Sequence, residues 1–167
     1  MTVGFRIEAL ASVHDRKDFS SGVETLDRYF REFVSQDVKR RVSNCFVAID
    51  DEGAIAGYHT FAAASLPLNE LPEAVARRLP RYPLLPAALI GRLAVDLRFR
   101  ERGLGGAVIM DAATRANRAD PAIFALIVDA KDETAAAFYE HLQFQRFSSR
   151  PSTLFLPIAT ALRALDR

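Results

Sequence analysis

The chain's 167 residues predict an α/β (α+β) fold: one domain over 1–167 with a mixed central sheet of six to seven strands and helices on both faces. Three observations predict it. Two near-continuous apolar runs, Ala87–Asp96 and Ala122–Asp129, have the character of strands buried on both faces. A helical pattern joins them, so they should be parallel neighbours. A hairpin precedes this strand–helix–strand–helix order, and two short strands follow it.

Taken in order, Thr2 to Ala9 reads as a short strand. Ser21-Gly22-Val23-Glu24 has capping-box spacing, and Leu26, Tyr29, Phe30, Phe33 and Val34 then recur on one helical face. The runs Asn44–Asp50 and Ala54–Ala64 flank Asp51-Glu52-Gly53 as an antiparallel hairpin. Pro72 suits the first turn of a short helix ending near Leu79, and Pro80, Pro83 and Pro86 impose an extended lead into Ala87–Asp96. From Leu104, apolar positions 104, 108, 109, 112, 113 and 116 share a helical face that Asp120-Pro121 ends. Asp132 can cap a last helix with Ala135, Phe138, Tyr139 and Leu142 inward. Strands near Phe144–Ser148 and Thr153–Pro157 complete the sheet.

Half of the residues are apolar and 26% are charged, which is globular composition. No apolar run reaches membrane-span length, and the N-terminus lacks a signal-peptide core, so the chain reads as cytoplasmic with no membrane partner. The single cysteine, Cys45, excludes an internal disulfide or a multi-cysteine metal site and reads as a buried strand position. Net charge is only +1, yet Leu71 to Arg102 holds seven arginines against three acids. Lys39-Arg40-Arg41 forms a second basic cluster. Each cluster reads either as a solvated face or as a contact for a polyanion.

The most distinctive segment is Arg100-Glu101-Arg102-Gly103-Leu104-Gly105-Gly106, between an apolar strand and a helix. A glycine-dense turn opening a helix gathers free N–H groups at the positive end of the helix dipole, an anion site suited to phosphates. The glycines at 103, 105 and 106 do not have dinucleotide-fold spacing, and Ala107-Val108 stands where a P-loop needs Lys-Ser/Thr. What the segment resembles is the acetyl-CoA turn of the GNAT N-acetyltransferases, Arg/Gln-x-x-Gly-x-Gly/Ala. Arg92-Leu93-Ala94-Val95-Asp96 resembles that family's splayed cofactor strand, and Asp132 through Phe144 its second cofactor-contacting helix. Gln143 departs from the pattern, which has Gly there. Phe19-x-x-Gly22, Leu26-Asp27, Gly57-Tyr58, Leu79-Pro80-Arg81-Tyr82-Pro83 and Val128-Asp129-Ala130-Lys131-Asp132 extend the resemblance to the GNAT toxins of bacterial toxin–antitoxin modules.

That resemblance implies acetylation of the α-amino group of aminoacyl-tRNA, which blocks translation, and a small antitoxin of ribbon-helix-helix type. It further implies a homodimer, with acetyl-CoA as cofactor and no metal. The N–H groups of Arg102, Gly103, Leu104, Gly105 and Gly106 would hold the pyrophosphate, with Arg100 adding charge. The edge of Leu93-Ala94-Val95 would pair with the pantetheine arm and polarise the thioester carbonyl, while Asp132 and Phe138 would complete the cofactor site. Tyr139 would act as general acid to the departing thiolate, since a phenol stays protonated near neutral pH; spacing alone also allows it to be a core residue. Lys39, Arg40, Arg41, Arg77, Arg78, Arg81 and Arg92 would contact tRNA, with salt-dependent binding. Two other readings are an acetyltransferase of a small amine or a protein N-terminus with no toxin role, and a non-catalytic module that keeps the cofactor fold.

Overall fold

The computed structural model describes residues 4–165. The chain folds into two compact units, 1–62 with 91–111 and 63–90 with 112–167. Eight strands occur among the described residues, more than the six to seven expected. The difference arises at Ala87–Asp96, which is two strands rather than one, β4 (Leu84–Ile90) and β5 (Leu93–Val95). The continuous apolar run hides the break, which falls at Gly91-Arg92, where the chain leaves the second unit for the first.

In the first unit β1 (Arg6–Ala9) pairs antiparallel with β2 (Asn44–Ile49), which pairs antiparallel with β3 (Ile55–Pro67). The predicted hairpin therefore forms. Asp50 closes it by accepting the N–H groups of Glu52 and Ala54 at 3.0 and 2.8 Å, and Gly53 takes φ +85 at the turn. The early helical pattern is α1 (Glu24–Arg28), a π-helical turn (Tyr29–Phe33) and α2 (Val34–Lys39). Its apolar face packs on the sheet through Tyr29, Phe30 and Val34 against Val47, Ile49, Tyr58 and Ala94. Phe30 stacks on Tyr58 at 4.3 Å, and Phe19 meets both rings edge-on, geometries that add roughly 0.5–1.5 kcal/mol each beyond burial. Cys45 is buried in this core, and burial pushes its thiol up to about 12, so it is an unreactive apolar residue.

The capping box expected at Ser21–Glu24 is absent. Val23 occupies the cap position with no side-chain bond. Gly22, at φ +88, turns Ser21 away, and the Ser21 N–H and hydroxyl instead donate to the buried Asp27 carboxylate at 2.9 and 2.6 Å.

In the second unit β4 and β6 (Ala125–Asp129) are parallel, as predicted for strands joined by a helix. β6 pairs antiparallel with β8 (Thr153–Pro157), which pairs with the two-residue β7 (Gln145–Arg146). Leu66, Leu85, Ala87, Ile127, Phe147 and Phe155 form its core. The helices are α3 (Glu73–Ala76, capped at Pro72), α4 (Leu104–Arg118), which starts in the first unit and ends in this one, α5 (Glu133–His141) and α6 (Ile158–Leu165).

Candidate active site

The strand that leads into the glycine turn is fixed before the turn begins. β5 lies antiparallel on β3 with Ala94 opposite Tyr58. Thr60 N–H donates to the Arg92 carbonyl at 3.0 Å, and Asp96 N–H to the Ala56 carbonyl at 2.8 Å. Those bonds set the alternation of the ladder, so Ala94 bonds toward β3 while the amides of Leu93 and Val95 point away from it. Among the described residues no strand pairs with β5 on that side. Gly57 permits the close packing here, because a Cβ would stand 2.9 Å from the Ala94 carbonyl oxygen and 3.3 Å from Leu104 Cδ2.

Asp96 ends the strand. Its buried carboxylate accepts from Ser20 N–H (3.0 Å), Arg98 N–H (2.9 Å) and Arg98 Nε (2.9 Å). Burial pushes its pKa up, but these bonds outweigh burial and hold the carboxyl below its usual range. It caps a short 3-10 turn, Leu97–Phe99, as an anion. Glu101 (φ +63) and Gly103 (φ +74) then swing the chain into α4.

The first N–H of α4 with an acceptor inside the helix is that of Ala107, to the Gly103 carbonyl at 3.1 Å. Leu104, Gly105 and Gly106 precede it and have no intrahelical acceptor. Three free donors thus sit at the positive end of a 15-residue helix. Nothing lies within 4 Å of a Cβ built on Gly103, the residue that immediately precedes them. Donors for a diphosphate beside a strand edge with two free amides fit the pyrophosphate and the amide-bearing arm of acetyl-CoA.

The arginines of the turn have protein partners as well. Arg100 Nη2 donates to the Ser21 carbonyl at 3.0 Å, and Arg102 lies over the Phe99 ring at 5.4 Å. Arg100 therefore ties the Ser21-Gly22 loop to the turn. Tyr58 does the same for the helix behind it, its hydroxyl donating to the Leu26 carbonyl at 2.7 Å. The scattered positions Ser21, Gly22, Leu26, Asp27, Gly57 and Tyr58 are thus the supports of one turn.

In the second unit Asp132 caps α5, its carboxylate accepting Ala135 N–H at 2.8 Å. Tyr139 is buried, 8% exposed, between Phe138 and Phe144 at ring distances of 5.3 and 5.4 Å. Its hydroxyl bonds to none of the described residues, yet is not among the side-chain atoms sealed from solvent. Burial, then the charge of Asp129, holds its phenol up at about 12, so it carries a proton at every physiological pH. Gln143 takes φ +78 at the exit of α5. Gln143 N–H bonds to the Glu140 carbonyl at 2.9 Å and Phe144 N–H to the Tyr139 carbonyl at 3.1 Å. That is a Schellman turn with glutamine in the place that favours glycine.

Lys39, Arg40 and Arg41 are exposed at the end of α2, and Arg77, Arg78 and Arg81 are exposed in the second unit. The sequence offered no signal for what the structure does with Arg92, whose guanidinium carbon lies 3.5 Å over the ring of Tyr29. The three histidines are dispersed. His14 bonds to Glu8 and Ala11, His59 is fully buried with Nε2 3.8 Å from the Asp111 carboxylate, and His141 ends α5. No group of metal-ligating side chains occurs among the described residues.

Residues 76–153 match the family described as "Acetyltransferase (GNAT) domain". The tRNA-acetylating toxin of Mycobacterium tuberculosis is 34% identical over 158 residues, 93% of each chain. The solved structure of AtaT complexed with acetyl-methionyl-tRNAfMet has a TM-score of 0.86 at 23% identity, covering 98% of this chain and 99% of that one. A tyrosine-to-phenylalanine variant of AtaT, bound to the C-terminus of the antitoxin AtaR and to acetyl-CoA, has a TM-score of 0.79 at 20% identity, covering 98% and 99%.

Proposed function

The chain belongs to the GNAT acetyltransferases and resembles their tRNA-acetylating toxins, and from this we propose that it transfers the acetyl group of acetyl-CoA to the α-amine of aminoacyl-tRNA and so stops translation. The observation that carries the reading is the row of free N–H groups at Leu104, Gly105 and Gly106, set beside the open edge of β5. The chain's 34% identity to a tRNA-acetylating toxin supports reading that cradle as the seat of the cofactor's pyrophosphate. The whole chain, 1–167, acts as one acetyltransferase domain.

Each residue's part follows from its chemistry. The N–H groups from Arg102 to Gly106 neutralise the diphosphate, and the charge of Arg100 adds to them. Leu93, Ala94 and Val95 align the pantetheine arm, and a free amide of this strand polarises the carbonyl as an oxyanion-hole donor does. Asp132 and Phe138 contribute the remainder of the cofactor site from α5. Acetyl-CoA, when bound, supplies an activated thioester that an amine can attack directly, so no nucleophilic side chain is required. Tyr139 gives its phenolic proton to the leaving thiolate; its retained proton and unpartnered hydroxyl support that role. Lys39, Arg40, Arg41, Arg77, Arg78, Arg81 and Arg92 receive tRNA phosphates.

No described helix is long and apolar enough to cross a membrane. We place the enzyme in the cytoplasm, where charged tRNA is, as a homodimer neutralised by a ribbon-helix-helix antitoxin. A cell-free translation reaction tests the function. Adding the protein with acetyl-CoA should halt synthesis, and fresh aminoacyl-tRNA added after the protein is removed should restart it. Synthesis that continues unchanged in the presence of both would refute the reading.

A further inference from the structure

Arg92 immediately precedes the cofactor strand and is held from two sides. Its N–H donates to Thr60 Oγ1 at 2.9 Å, and its carbonyl accepts the Thr60 N–H at 3.0 Å. Its guanidinium lies 3.5 Å over Tyr29. Tyr29 is fixed in turn, buried in the core of the first unit with its hydroxyl donating to Asp37 Oδ2 at 2.6 Å. A phenol bonded to a carboxylate has a more electron-rich ring, which strengthens its hold on a cation above it. Burial, then the Asp37 bond, raises the Tyr29 pKa far above its ordinary value, so the ring remains a neutral phenol.

The stack uses only the face of the guanidinium. Arg92 is exposed, and among the described residues nothing accepts a hydrogen bond from its side chain or pairs with its charge. An arginine with its plane clamped and its N–H edge open is a preorganised receptor for an oxyanion, able to grip a phosphate through two parallel bonds. Its place along the strand says which oxyanion. The glycine turn lies beyond the Val95 end of β5, and Arg92 stands at the other end, roughly 10 Å from Val95 at about 3.3 Å per strand residue. With the diphosphate at Leu104–Gly106 and the arm along β5, the reacting carbonyl lies toward the Arg92 end. The acceptor amine must arrive there, and in aminoacyl-tRNA the phosphate of the terminal nucleotide follows close behind it. The same support connects Arg92, through Tyr29 and Asp37, to the end of α2 with Lys39, Arg40 and Arg41, since Val42 N–H donates to the Asp37 carbonyl at 3.0 Å.

We propose that Arg92 is a specificity-determining residue for the acceptor: its guanidinium receives the phosphate of the 3′-terminal nucleotide of tRNA, and Tyr29 and Asp37 are its positioning residues. The proposal rests on aminoacyl-tRNA being the acceptor.

Steady-state acetylation of aminoacyl-tRNA, compared with aminoacyl-adenosine, tests it, because the second acceptor presents the same amine with no phosphate. Arg92→Ala should raise KM for aminoacyl-tRNA about 30-fold, as loss of a charge-assisted bidentate contact does, with kcat and the KM for acetyl-CoA within about twofold. On aminoacyl-adenosine the variant should match wild type. Arg92→Lys should recover only part of the loss, lacking the planar fork. Tyr29→Phe keeps the ring but loses the Asp37 bond, and should raise the tRNA KM about threefold with no effect on aminoacyl-adenosine. The slope of log KM against log salt should fall by about one in Arg92→Ala. An equal loss on both acceptors, or no loss on aminoacyl-tRNA, overturns the assignment. A wild-type protein that binds acetyl-CoA but acetylates neither acceptor refutes the aminoacyl-tRNA reading itself, and the assignment with it.

Discussion

Gly57→Ala isolates how the cradle is built. A Cβ at this position would stand 2.9 Å from the Ala94 carbonyl oxygen and 3.3 Å from Leu104 Cδ2. Leu104 can shift a rotamer, but Ala94 offers backbone, so β5 itself must retreat by a few tenths of an ångström. The bonds flanking Ala94, Asp96 N–H to Ala56 and Thr60 N–H to Arg92, are already at 2.8 and 3.0 Å and would lengthen. Overpacking of this kind costs about 1–3 kcal/mol. At roughly 2–4 °C per kcal/mol for a protein of this size, the middle of that range, about 2 kcal/mol, should lower the melting temperature by about 4–8 °C. Because β5 and the first residue of α4 both move, acetyl-CoA affinity should fall about tenfold, or about 1.4 kcal/mol. Calorimetric melting and isothermal titration with acetyl-CoA measure the two effects. Gly53→Ala is the control: its φ of +85 makes alanine strained, yet nothing lies within 4 Å of the new Cβ. It should cost about 1 kcal/mol and leave acetyl-CoA affinity unchanged. A Gly57→Ala protein that melts and binds like wild type would refute the close-approach argument.

Other consequences can be checked separately. Tyr139→Phe should lower kcat by at least about a hundredfold, the lower end of general-acid contributions, while titration shows acetyl-CoA binding intact; near-normal turnover would remove Tyr139 from the chemistry. The rate should climb as the acceptor amine deprotonates, about pH 7–8, and then stay flat past pH 10, because the Tyr139 phenol is held up at about 12. A descending limb between about pH 8 and about pH 10 would assign the acid to another group. The same shift has a stability sign: the phenol keeps its proton longer when folded, so its contribution is complete below about pH 10, the unfolded value, and is lost as pH rises through about 12. Gln143→Gly should stabilise the protein by about 1 kcal/mol in urea melts, since glycine takes φ +78 without strain; an unchanged midpoint would mean that the glutamine side chain compensates.

Local signals in the sequence located much of this structure. The helical faces of α1–α2 and α4, the hairpin at Asp51-Glu52-Gly53 and the parallel pair β4–β6 follow from periodicity and turn chemistry. So does the glycine turn, because free N–H groups at a helix start depend on neighbours in the chain. What remained hidden depends on distant residues. The break at Gly91-Arg92 leaves no mark in an apolar run, and it is clamped by Thr60, more than 30 positions earlier. Ser21 and Glu24 have capping spacing, but Asp27 captures the serine. Arg100 and Arg92 read as charges for ligands, while the structure bonds one to Ser21 and stacks the other on Tyr29. The roles given to Tyr139, Asp132 and the basic clusters come from family resemblance, which periodicity and spacing alone could not have supplied.

Incubating the protein with labelled acetyl-CoA and charged tRNA, digesting the RNA and identifying the labelled product shows which amine receives the acetyl group. The label should appear on the terminal adenosine as an N-acetyl-aminoacyl ester and be absent when the tRNA is uncharged. Label in protein or in a free amine, with none on charged tRNA, would contradict it.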